Sequence, residues 1–266
     1  MKRILKSTLA IAAAALCSSA YAGDIYLTGH DVDLHSNQNG YDKVILDYLR
    51  GSTAASSYRV GIVTGDVTAW PTFALGYATR DVRDIQSFAN AAAFSSFLST
   101  IDVMVVASEE TCGGCVFSAA DVTKLNTFRP EVTTFFNAGG DIFGLTGASN
   151  AAYYGFLPPA AVATGASISG SSGFTATAAG LSIGIATNMI NGFPTHNRFT
   201  SFDPAFTVME VRGAEVISLA LRDGSIGDGG VITVPGVPAV PEPETYALMA
   251  LGLAAIGVAA RKRRRA

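Results

Sequence analysis

The chain holds three histidines, and two of them frame the run His30-Asp31-Val32-Asp33-Leu34-His35. The third stands in Thr195-His196-Asn197-Arg198. Imidazoles and carboxylates in one loop offer two chemistries: ligation of a borderline divalent cation, or proton transfer in hydrolysis. Written as extended chain, the alternation puts His30 with Val32 and Leu34 on one side and Asp31, Asp33 and His35 on the other. Asp31, Asp33 and His35 are therefore the expected ligand trio, and His30 and His196 the candidate acid or base. Further polar groups follow other apolar runs: Thr64 and Asp66, then Ser108, Glu109 and Glu110, then Thr146 and Ser149. A plainer reading stands beside these, in which the first loop is only an acidic segment capping the next helix and ligates nothing. Cys112 and Cys115 form a C-x-x-C pair around Gly113-Gly114, open to a local structural disulfide or to redox or metal chemistry.

Elements must bring these residues together. Apolar runs at Asp24–Gly29, Tyr58–Thr64, Ile101–Ala107 and Asp141–Thr146 read as strands, the third buried on both faces. Helical spacing recurs at Tyr41–Leu49, at Asp81–Leu98 and from Ser118 to Phe136, where Pro130 should kink or divide the helix. Strand-then-helix units in series imply an α/β domain with a doubly wound, flavodoxin-like parallel sheet, which binds ligands at the carboxyl ends of its strands. The stretch from Ala160 to Gly180 is almost all Ala, Ser, Thr and Gly and reads as loop with at most a weak hairpin. A β-rich part then resumes at Thr207–Val211, Glu215–Leu221 and Val231–Val234.

The two ends of the chain read as addresses. Residues 1–22 carry Lys2, Arg3 and Lys6, an apolar stretch and the A-x-A site Ala20-Tyr21-Ala22, so a signal peptide cut by signal peptidase is expected, with Cys17 discarded in it. Residues 235–244 form a proline-rich linker with Pro241-Glu242-Pro243. Residues 245–260 form an uncharged apolar run, and 261–266 a basic tail of Arg261, Lys262, Arg263, Arg264 and Arg265. As a helix the run spans about 24 Å, a minimal membrane segment whose cations stay on the cytoplasmic side. Motif, apolar run and basic cluster in this order resemble the PEP-CTERM sorting tail. That resemblance implies recognition by an exosortase, a membrane protease-transpeptidase, and passage from an anchored precursor to the cell surface or exopolysaccharide. Ten Lys and Arg against nineteen Asp and Glu remain in residues 23–234 and the start of the linker, so the core carries about −9 and is not expected to bind nucleic acid.

Within the core, Gly139-Gly140-Asp141-Ile142-Phe143-Gly144-Leu145-Thr146-Gly147-Ala148, an apolar strand one helix earlier, and the later Thr195-His196-Asn197 resemble the class I glutamine amidotransferase-like group, including ThuA-like proteins. The resemblance implies a cysteine nucleophile after that strand, but Thr146 occupies its place, and where it implies a His followed closely by Glu this chain has Thr195-His196-Asn197-Arg198. A threonine hydroxyl without a strong base stays protonated, so glutaminase activity is not expected. Two functional expectations remain: a non-catalytic binding or structural domain in the envelope or exopolysaccharide, or a hydrolase of carbohydrate or amide substrates. The second requires His196 and the first loop to converge within hydrogen-bond reach.

Overall fold

The computed structural model describes residues 23–35, 39–70, 73–74, 76–157, 161, 163–222, 225–226 and 232–233. The expected signal peptide, linker, membrane helix and basic tail lie outside them. The chain divides into two compact units, Met1–Val234 and Pro235–Ala266, and every described residue belongs to the first. Among the described residues no helix is long and apolar enough to cross a membrane.

In chain order the elements are β1 (Ile25–Thr28), α1 (Tyr41–Leu49), β2 (Arg59–Thr64), β3 (Thr79–Asp84), α2 (Ala91–Leu98), β4 (Val103–Val106), α3 (Ala119–Thr127), α4 (Arg129–Asn137) and β5 (Asp141–Gly144). A second, strand-rich part follows: β6 (Ala163–Ser167), β7 (Thr175–Ala176), α5 (Ala178–Ser182), α6 (Thr187–Ile190), β8 (Asn197–Phe202), β9 (Thr207–Arg212), β10 (Glu215–Leu221), β11 (Ser225–Ile226) and β12 (Ile232–Thr233). Strands β1, β4 and β5 are buried along their whole length, as short apolar runs inside a covered parallel sheet should be. Ser118 and Asp121 close a reciprocal capping box at the start of α3. Pro130 ends that helix's continuation and sits in the first turn of α4, where its missing N–H costs nothing.

The parallel strands stand in the order β3-β2-β4-β5-β1. Antiparallel β10 closes the far side of β1, pairing Ile25 with Leu221 and Thr28 with Ser218, and carries β8, β9, β6 and β7 beyond it. The domain is thus a mixed α/β fold, and three expectations change. A flavodoxin-like sheet places β1 between parallel neighbours. Here β1 has a parallel neighbour on one side only, because the β-rich part adds its strands to the other edge. The helix expected over Asp81–Leu98 begins only at Ala91, and the preceding Thr79–Asp84 is an edge strand on β2. Its sequence, Thr-Arg-Asp-Val-Arg-Asp, gives no apolar period, and its charges protect an exposed sheet edge. The small-residue stretch also holds more structure than a loop, since Ala163–Ser167 pairs with β8.

Because β1, β2, β4 and β5 are parallel, Thr28, Thr64, Val106 and Gly144 all end on one rim of the sheet. The polar segments that follow them meet there.

Candidate functional site

The site begins where β1 ends. Gly29 donates its N–H to Ile217 O at 2.8 Å, and its carbonyl accepts from the backbone N–H groups of His196 and Asn197 at 3.0 and 3.3 Å. A Cβ on residue 29 would lie 1.9 Å from the Asn197 carbonyl oxygen, so only glycine permits this crossing. His30 completes it with an antiparallel bridge to Thr195. The crossing carries His196 from a position 165 residues further along the chain to the residue after His30.

Asp31 is the centre. One carboxylate oxygen, Oδ2, lies 3.1 Å from His35 Nε2 and 3.2 Å from His196 Nε2. The carboxylate is 2% exposed beneath imidazoles that are 32% and 23% exposed. Its other oxygen, Oδ1, is buried and has no hydrogen-bond partner among the described residues. The first loop is a turn rather than extended chain: the Leu34 N–H donates to Asp31 O at 3.1 Å, so His35 returns to Asp31 at a spacing of four residues. The trio expected from alternation is therefore corrected. Asp31 and His35 meet, His196 joins them, and Asp33 turns away to accept from the Ser108 N–H at 3.0 Å and hydroxyl at 2.6 Å. Desolvation pushes the Asp33 carboxyl up to about 6 against those two bonds, and the neighbouring Asp31 charge adds to the rise.

The other candidates go elsewhere. His30 is fully buried, its Nε2 2.8 Å from Glu210 Oε2 and its Nδ1 2.8 Å from the Thr195 hydroxyl. Tyr26 and Tyr41 donate to the second oxygen of Glu210, which completes a closed polar cluster inside the fold. Burial alone would raise the Glu210 carboxyl, but the charge and hydrogen bond of His30, with the two tyrosine hydroxyls, hold it below the usual carboxylate range. Glu109 accepts from the Thr111 N–H and hydroxyl and from Asn150 Nδ2, and Glu110 accepts from the Ala119 N–H, so both cap local backbone. Thr146 is buried and accepts from the Ala148 N–H in its own turn. Cys112 and Cys115 are joined, with Cα atoms 5.7 Å apart, in the loop after β4. That loop shares the rim with Asp31: ligand atoms of Asp31, Cys112 and His196 lie within 4.8 Å of one another.

The sequence singles out Ser108 only as one of the polar groups after the third apolar run, and Glu210 not at all. The signal for Cys112 was present, since the carboxyl ends of parallel strands converge; none existed for Glu210, which sits in a strand whose partner only the fold reveals. A cavity of about 580 Å³ lies at the opposite rim, between Asp24, Tyr58, Asp102, Asp141 and Arg222. Its charged lining residues pair with one another, with Arg59 on Asp102 at 2.6 Å and Arg222 near Asp24 at 3.7 Å.

The described chain is a mixed α/β domain with one carboxylate and two imidazoles gathered at the carboxyl ends of its parallel strands. Beyond that class, residues 239–265 match the PEP-CTERM protein-sorting motif, which supports an exported protein with a membrane-anchored precursor and an exosortase as partner. Comparison with characterised proteins and with solved structures gave no match.

Proposed function

We propose that the exported domain is a divalent-cation-binding module, with Asp31 and His196 as ligands, delivered by its tail to the cell surface or exopolysaccharide. The observation that carries this reading is the buried Asp31 Oδ1 without a partner, on a carboxylate whose other oxygen two imidazoles already approach. An unpaired buried carboxylate oxygen costs several kcal/mol unless a charge reaches it, and a cation held by that carboxylate beside the His196 imidazole removes that cost. The core charge of about −9 favours cations over anions at this surface. The test is elemental analysis of the purified protein together with its melting temperature with and without zinc or manganese. Bound metal and an upward shift, both lost in His196→Gln, are expected; no metal and no shift sink the reading.

A second reading, hydrolysis of a carbohydrate or amide, draws on one contact. His196 within 3.2 Å of Asp31 is the pairing of a general base with its orienting carboxylate. Product release from glycan or amide substrates that vanishes in His196→Gln is its expected signature, and inactivity across such substrates removes it.

A further inference from the structure

The C-x-x-C loop lies beside the same carboxylate, and that placement has a chemical consequence. Ligand atoms of Asp31, His196 and Cys112 fall within 4.8 Å of one another. Two ligands at the tetrahedral angle on one cation, with bonds of about 2.0–2.3 Å, stand about 3.3–3.8 Å apart, so this cluster lies within about 1.5 Å of a coordination shell. The Cys112 sulfur is now bonded to Cys115 and offers no thiolate. It is nevertheless the better prepared of the two sulfurs. The Cys115 N–H donates to Cys112 Sγ at 3.1 Å, a contact that would stabilise negative charge on that sulfur once released. Cys112 is half-buried and open to a reductant, whereas Cys115 is 8% exposed. The partnerless Asp31 Oδ1 supplies the independent sign that a charge is expected here.

We propose that the Cys112–Cys115 bond is a redox gate on the cation site: when a dithiol reduces it, Cys112 becomes a thiolate ligand beside Asp31 and His196. The inference rests on the cation-binding reading. In the exchange, a thiolate of the reductant attacks Cys112 Sγ, the disulfide breaks, and the electron pair leaves on Cys115, which takes up a proton. The second thiol of the reductant then attacks the mixed disulfide, leaves as part of a cyclic disulfide, and frees Cys112. The protein gains two electrons and the reductant loses two. Cys112 loses its proton to solvent as the metal–sulfur bond forms. A thiolate favours zinc and other softer ions over magnesium or calcium, so the redox state would set which cation the site takes.

The experiment uses the full chain in a Cys17→Ser background, titrated with cobalt(II) before and after reduction by a phosphine that is removed without oxygen. Sulfur-to-cobalt charge-transfer absorption is expected only after reduction. It should be lost in Cys112→Ser and should appear without any reductant in Cys115→Ser, where no disulfide can form. Cobalt binding that is identical in both redox states, with no charge-transfer band, overturns the gate and leaves the cation site standing. No cobalt binding in either state overturns both. A band that survives Cys112→Ser and disappears in Cys115→Ser also overturns the gate.

Discussion

At the scale of single residues, the two imidazole–carboxylate pairs near the end of β1 do opposite work. Among the described residues Asp31 leaves an oxygen without a partner, whereas both oxygens of Glu210 are engaged, by His30 and by Tyr26 and Tyr41. A site that pays for function with unpaired charge should gain stability when the charge is removed. Asp31→Asn is therefore expected to raise the metal-free stability by about 1–2 kcal/mol while abolishing the metal-induced melting shift, read by thermal melts with and without zinc. Glu210→Ala should do the reverse in kind. It strands a buried imidazole and two hydroxyls, at about 3–5 kcal/mol by denaturant unfolding, with no direct loss of a cation ligand. Alternation in the sequence puts His30 and Asp31 on opposite sides of the chain but does not tell which side faces the core. Which of two neighbours faces the rim and which faces the core depends on the turn at residues 31–35 and on a strand that arrives from residue 195 onward.

At the scale of elements, the β1–β8 crossing decides whether the site exists. Gly29→Ala would drive a Cβ into the Asn197 carbonyl at 1.9 Å, so the strands must part. The expected cost is about 1–3 kcal/mol, with weakened cation binding because His196 moves with β8; unfolding curves and a metal titration on the same variant check both. The parallel half of the sheet was legible because β1, β2, β4 and β5 are apolar runs separated by amphipathic helices or turns. The β3 edge was not, since its alternating charges carry no hydrophobic period, and β8, Asn-Arg-Phe-Thr-Ser-Phe, acquires its meaning only from partners far away in sequence. At the opposite rim, Asp141 at the start of β5 accepts from the Asp24 N–H and the Tyr58 hydroxyl. Burial pushes its carboxyl from 3.8 to about 7 despite those bonds. Between these values the folded chain keeps a proton that the unfolded chain has released. Its contribution to stability is thus full below pH about 4 and is lost as the pH rises through about 7, by at most about 1.4 kcal/mol per pH unit. In Asp141→Asn the Tyr58 hydroxyl can turn to accept from the amide, and the fall of the unfolding free energy with pH, read by denaturant unfolding at several pH values, should flatten across that window.

At the scale of the whole molecule, the acidic core and the basic tail have separate tasks, and their separation can be measured. The division between Val234 and Pro235 sets the sorting segment apart from the α/β domain. The motif at 239–265 includes Pro241-Glu242-Pro243 and all five cations from Arg261 to Arg265. Cations beside an apolar segment hold its end on the cytoplasmic side, because carrying each charge through hydrocarbon costs about 2.5–3.5 kcal/mol. Replacing all five by glutamine removes that hold without touching a residue of the domain. Alanine at Pro241, Glu242 and Pro243 removes the Pro-Glu-Pro and leaves the apolar run and the cations. Both variants should keep the melting temperature and metal response of the domain, because none of the altered residues lies in Met1–Val234. Fractionation and intact mass of the carboxyl terminus should show wild-type chain shortened near the Pro-Glu-Pro. The alanine variant should stay full-length in the inner membrane, and the glutamine variant should lose a defined orientation there. If the alanine variant is shortened like wild type, the motif is not what the exosortase reads in this chain, and its delivery would depend on the apolar segment and cations alone.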